Sequence, residues 1–103
     1  NEADSDYWNE EGFCFYKIGK YGDAELAYSR AIELDETNGK AWNNLGVLYF
    51  VQGNHEKARY CFEKSTMIDE TNVDAWYNLA DTYEMLGETD KEEEARKQYE
   101  RLT

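Results

Sequence analysis

AWNNLGVLYF at residues 41–50 returns, shifted by 34 positions, as AWYNLADTYE at residues 75–84. The same shift carries LDETN (34–38) onto IDETN (68–72), Ala24 onto Ala58, and Tyr28 onto Phe62. Glycines at 19, 53 and 87 and tryptophans at 8, 42 and 76 hold the same register. A repeat of this length constrains the fold strongly. Units of roughly 20–45 residues are single supersecondary elements that bury their apolar faces only by stacking on one another. Three units follow, at about 5–38, 39–72 and 73–103, and the 103 residues leave room for one domain.

Each unit reads as two helices. The first runs from near the Trp to the residue before the Gly, at about 6–18, 40–52 and 74–86. The second carries the Ala and the aromatic, at about 22–34, 56–68 and 90–102. Gly19, Gly53 and Gly87 stand where a helix C-terminus favours a left-handed residue. Asp-Glu-Thr-Asn supplies turn chemistry between units. The expected fold is all-α: an α-solenoid of three antiparallel helix pairs.

Trp42, Leu45, Gly46 and Tyr49, followed by Ala58 and Phe62 at the 34-residue period, resemble the tetratricopeptide repeat. The resemblance covers essentially the whole chain. It implies a right-handed superhelix whose first helices line a concave, peptide-receiving groove. Unit one departs from the pattern with Glu11 in place of Leu45 and Leu79. Glu36 and Glu70 stand where the family usually has Pro. In unit three the interval Gly87–Ala95 is eight residues, against five for Gly19–Ala24 and Gly53–Ala58. The expectation is a three-residue insertion within ETDKEEE, with Thr89 and Glu92 as a capping box. The last helix, charged nearly all round, reads as a terminal cap.

GVLYFVQG (46–53) is the most apolar stretch of an otherwise polar chain. At about 100° per residue the helix containing it splits into three faces. Trp42, Leu45, Gly46 and Tyr49 point to the partner helix of the same unit; Ala41, Leu48 and Gln52 point to the neighbouring unit. Lys40, Asn43, Asn44, Val47, Phe50 and Val51 form the third face. By resemblance this third face is the groove. Its counterparts are Asp6, Asn9, Glu10, Phe13, Tyr16 and Lys17 in unit one, and Asp74, Tyr77, Asn78, Asp81, Glu84 and Met85 in unit three.

The candidate ligand-binding residues are therefore Phe13, Tyr16, Asn44, Val47, Phe50, Val51, Tyr77, Asn78 and Asp81. A contiguous apolar patch of this kind marks an interaction site. Two alternatives stand beside it: Val47 and Phe50 fill gaps between adjacent first helices, or a further segment or a second copy covers them. The resemblance places Asn44 and Asn78 where the family uses an amide on the backbone of an extended ligand. It also locates a clamp that grips a C-terminal carboxylate with Lys and Arg. Those positions here hold Asn9, Phe13, Asn44, Asp74 and Asn78, so only Asn44 matches, and the acids would repel such a ligand.

Charge narrows the partner. There are 23 acids against 11 bases, for a net charge of −12. Nucleic acid is excluded, because phosphate contacts need clustered Lys and Arg; the related pentatricopeptide repeats, which read RNA, fail here on the same ground. A basic, partly apolar protein or peptide is the natural partner, with self-association as the structural alternative: a spacer or dimerising unit of a larger scaffold. Aromatic residues at 16% argue against disorder despite the charge.

Enzymatic chemistry finds no pattern. His55, the only His, is expected in the turn before a helix and has no Cys or Ser partner at a meaningful spacing. Cys14 and Cys61 are too scattered for a metal site or a disulfide framework, and Cys14 shares the neighbour-facing stripe of Leu48, where a buried thiol is expected. No phosphate-binding glycine loop occurs. No enzyme activity, cofactor or metal is expected. Asn1–Glu11 lacks the apolar core of a signal peptide, and no apolar run reaches the ~18 residues of a membrane span. These features give a soluble, cytoplasmic location as the expectation. The absence of an initiator Met gives a fragment of a longer chain.

Overall fold

Asparagine and glycine punctuate the chain. Asn38, Asn54 and Asn72 each sit one residue before a helix, and their side-chain oxygens accept from the backbone N–H groups of Ala41, Lys57 and Ala75. Gly19, Gly53 and Gly87 adopt left-handed φ values of 81°, 82° and 74°. Around each glycine the same pair of bonds closes the helix. Gly19 N–H donates to Tyr16 O and Lys20 N–H to Phe15 O, and the pattern recurs at Gly53–Asn54 and Gly87–Glu88. This is the Schellman closure, which satisfies carbonyls the helix leaves open.

The structure, a computed structural model, describes residues 3–103. Asn1 and Glu2, which open the acidic stretch read against a signal peptide, lie outside the described residues. Among the described residues there are six helices: α1 (Ser5–Lys17), α2 (Tyr21–Leu34), α3 (Gly39–Val51), α4 (His55–Ile68), α5 (Val73–Leu86) and α6 (Thr89–Leu102). They pair as α1–α2, α3–α4 and α5–α6, and the pairs stack into an α-solenoid measuring 40 × 25 × 20 Å.

The turns between pairs carry a repeated device. Asp35 Oδ1 accepts from the backbone N–H (3.0 Å) and hydroxyl (2.6 Å) of Thr37. Asp69 does the same with Thr71 at 3.0 and 2.6 Å. The hydroxyl bonds, then the backbone bonds, hold both carboxyls below their usual range. The indole N–H of Trp42 donates to Glu36 O at 2.9 Å, and that of Trp76 to Glu70 O at 2.8 Å. These bonds tie each turn to the helix that follows it, at the position where a rigid proline is missing.

Within a pair, glycine lets an aromatic ring lie against backbone. A Cβ on Gly12 would come within 2.6 Å of the Tyr28 ring, and one on Gly46 within 2.6 Å of the Phe62 ring. In unit three Ala80 replaces the glycine and Arg96 replaces the ring. Between pairs, Leu48 is fully buried in a cluster with Ala24, Tyr28, Leu45 and Cys61. Leu79, Ala80 and Tyr83 form the next cluster with Ala58, Phe62 and Ala95. Phenols cross the same seams: Tyr49 Oη donates to Glu25 (2.7 Å) and Tyr83 Oη to Glu63 (2.6 Å). Tyr49 thus serves both its own α4, where Lys57 lies over its ring, and the preceding α2.

Four expectations need correction. Unit three has no insertion, since α6 starts 34 residues after α4 and has the same 14 residues. Ala95 occupies the register of Ala27 and Cys61, all buried, whereas Glu92 and Arg96 stand at the registers of Ala58 and Phe62. Two small residues three apart, as at Ala24 and Ala27, make such a slip easy to read into a sequence. The capping box is also absent: Glu88 is the N-cap, its side chain making no capping bond and accepting instead from Arg59 Nη1 at 3.1 Å, and Glu92 accepts from Arg96 Nε at 2.8 Å. Cys14 is exposed, because no described helix precedes unit one to cover its stripe. His55 is the first residue of α4 rather than a turn residue, and it is half-buried. Glu11, at the leucine position of unit one, is half-buried.

Candidate interaction groove

Because the period is 34 residues, side chains of α1, α3 and α5 recur in rows across the stack. The row nearest the inter-unit turns is Asp6, Lys40 and Asp74. Next come Asn9, Asn43 and Tyr77, then Phe13, Val47 and Asp81, then Tyr16, Phe50 and Glu84. Lys17, Val51 and Met85 close the far edge.

The turn side is polar and acidic. A concavity of about 770 Å³ opens there, walled by Asp6, Asp35, Asp69 and Asp74 among others, with Lys40 between them. The two turn aspartates keep their charge because their threonine partners stabilise the ionised form. Along the concavity the asparagines are bonded to one another. Asn44 Nδ2 donates to Asn9 Oδ1 at 2.9 Å, and Asn78 Nδ2 donates to Asn43 Oδ1 at 3.1 Å.

The far side is largely apolar, with the Lys17 ammonium over the Phe13 ring at 5.2 Å. Phe13, Val51 and Met85 are 46%, 49% and 58% exposed, while Tyr77, in the row of Asn9 and Asn43 nearer the turns, is 48% exposed. The other expected groove residues are partly withdrawn. Tyr16 stacks on Tyr21 at 5.6 Å, and Phe50 packs edge-on against His55 at 4.9 Å. Val47 and Phe50 are half-buried and lean on the core cluster of unit three. They line, with Phe62, Asn78 and Asp81, a small cavity of about 60 Å³. Val47 and Phe50 therefore join units, as the gap-filling alternative expects, while Val51 is exposed.

Asp81 and Glu84 are not open acids. Arg96 Nη2 reaches both at 3.3 Å while its Nε bonds Glu92. The sequence signal for this was available, since Arg96 falls on the Phe62 register opposite Ala80. Asp35 and Asp69 were missed as wall residues because the Asp-Glu-Thr-Asn stretch reads as a connector. Among the described residues no group of three or more His, Cys, Asp or Glu is arranged to hold a metal. Among them, too, no helix is long and apolar enough to cross a membrane.

Three family models match the chain: a tetratricopeptide repeat over residues 39–72, a TPR repeat over 14–53 and a further tetratricopeptide repeat over 61–94. No curated protein matches it by sequence. Among solved structures, the second TPR of Spaghetti (RPAP3) bound to HSP90 peptide SRMEEVD superposes with a TM-score of 0.93 at 21% identity, over 100% of this chain and 95% of that one. The first TPR of the same protein, bound to the same peptide, gives 0.91 at 17% identity, over 99% and 83%. The Arabidopsis OM64 TPR domain gives 0.90 at 21% identity, over 99% and 85%. At these identities the likeness carries the fold and not the ligand. With three stacked helix pairs at a 34-residue period, and models that jointly span residues 14–94, the chain belongs to the tetratricopeptide repeat family as three tandem repeats.

Proposed function

We propose that this domain is a protein-interaction module whose concave groove takes a protein segment bearing apolar and basic residues. One observation carries the reading. Four large apolar side chains on the first helices, Phe13, Val51, Tyr77 and Met85, are left about half exposed, and an acidic concavity opens on the turn side of the same helices. The family is one of interaction modules, which supports the coarse reading. The finer one rests on local chemistry: apolar ligand side chains dock over the exposed edge, and Lys or Arg of the ligand is steered by Asp6, Asp35, Asp69 and Asp74. A groove of this size supports roughly micromolar affinity, about −8 kcal/mol. The exposed free thiol of Cys14 suits a reducing, cytoplasmic compartment.

The peptide held by the Spaghetti domains is not carried over. Where a carboxylate clamp needs cations, this chain presents Asn9, Phe13, Asp74 and Asn78. Titrating SRMEEVD should give no binding tighter than ~1 mM, about −4 kcal/mol. Saturable micromolar binding would overturn the charge argument. For the positive reading, affinity capture from native extract is compared between wild type and Phe13→Glu/Val51→Glu. Partners retained equally by both would remove the groove from the account.

A further inference from the structure

We infer that the occupant of the groove is a helix of a partner protein, with an apolar stripe beside a basic stripe, rather than an extended peptide. The inference rests on the groove reading above and sharpens it through three features of the concave surface.

The first is the state of the asparagines. An extended segment brings unpaired backbone N–H and C=O groups that need partners once water is displaced. The groups suited to supply them are Asn44 and Asn78, yet each gives one of its two donors to the asparagine of the preceding helix, which fixes the amide's orientation. Asn9 and Asn43 each give up one of two acceptor lone pairs to these bonds. The amides thus tie α1, α3 and α5 together. A helix satisfies its own backbone and makes no demand on them.

The second feature is the arrangement of chemistry in parallel rows. Acids run along the turn side at Asp6, Asp35, Asp69 and Asp74, and exposed apolar groups run along the far side at Phe13, Val51 and Met85. An extended chain sends successive side chains to opposite faces, so its two chemistries would not lie side by side against one surface. A helix carries adjacent stripes along its whole length.

The third is charge and length. The net charge of −12 favours a basic partner. A helix of about 18 residues spans about 27 Å, which fits within the 40 Å long axis of the solenoid.

The test uses two synthetic peptides of about 18 residues and identical Leu, Phe, Lys and Ala composition. In one, the apolar and Lys positions follow the helical period; in the other they alternate at the strand period. Fluorescence anisotropy gives affinity and circular dichroism gives helix gained on binding. The inference predicts that the helical-period peptide binds at least about tenfold tighter and gains helicity, that Phe13→Glu/Val51→Glu weakens it by about tenfold or more, and that Asn44→Ala changes it less than about twofold. Equal or tighter binding of the alternating peptide, with a large loss in Asn44→Ala, would overturn the helix while leaving the groove reading in place. Binding of neither peptide would overturn both. So would a dimer by light scattering that Val51→Glu dissociates, since a second copy would then be the occupant.

Discussion

Gly46→Ala places the account of the helix-pair core under direct strain. The added methyl would lie 2.6, 2.7 and 3.0 Å from Cε1, Cδ1 and Cζ of Phe62. Carbon atoms in favourable contact sit about 3.5–4.0 Å apart, so the ring must move by roughly 1 Å. Phe62 is 1% exposed and wedged among Ala58, Leu79 and Ala80, which leaves it little room to yield. Overpacking of this kind costs about 1–3 kcal/mol, while exchanging Gly for Ala inside a helix returns about 1 kcal/mol. The net expectation is a loss of about 1 kcal/mol in wild type. In a Phe62→Leu background the clash is gone and only the helical gain remains, so the same substitution should stabilise by up to about 1 kcal/mol. Urea denaturation of the four proteins in this cycle reads the reversal as a shift in midpoint at constant slope. Unit three already displays the relieved state, with Ala80 opposite Arg96 instead of a ring. The same sign and size of effect in both backgrounds would refute the packing account.

Alkali should unfold the domain through its seam tyrosines. Burial, and then the charge of neighbouring Tyr16 and Cys14, push the Tyr28 hydroxyl up to about 12. Burial and bonds to Glu25 and Glu63 raise Tyr49 and Tyr83 as well. The unfolded chain, with Tyr near 10, then releases protons that the folded one keeps, so stability is full below pH ~10 and falls above it. The melting temperature should drop above that pH, and Tyr49→Phe/Tyr83→Phe should flatten the fall; no loss by pH ~11 would contradict the assignment. Surface and seam should also separate under substitution. Val51→Asp should move stability by less than about 0.5 kcal/mol, Phe50→Ala should cost about 2, and Leu48→Ala about 2–5; a large loss at Val51 in thermal or urea unfolding would mean that it is not exposed. Added NaCl should raise the melting temperature, because a net charge of −12 disfavours the compact state and salt screens it; an unchanged or lower value at ~0.5 M would argue against self-repulsion.

The 34-residue period located all six helices, helped where a boundary is written in local chemistry. Asparagine caps and left-handed glycines act on their own turns and need no tertiary information. The stripe assignments held where a partner helix exists: Leu48 is buried at the seam, and Gly46 meets Phe62. They failed where no described helix covers the stripe, as at Cys14, or where two small residues compete for one register, as at Ala95. The groove was legible as a face but not in detail. Periodicity gives the direction of Tyr16 and Phe50, yet not that Tyr21 and His55 draw them toward the second helices. Nor does it reveal bonds between residues 35 apart, such as Asn9–Asn44.

The claim that the concave edge is the interaction surface can be tested with a photo-crosslinking residue placed in turn at Val51 and Met67. Both sites are exposed, at 49% and 76%, but Met67 lies on α4, outside the groove rows. Irradiation in native extract should yield a discrete adduct from Val51, lost on adding excess unlabelled domain, and none from Met67. Adducts of equal yield at both positions, or from Met67 alone, would contradict the groove as the surface through which this domain acts.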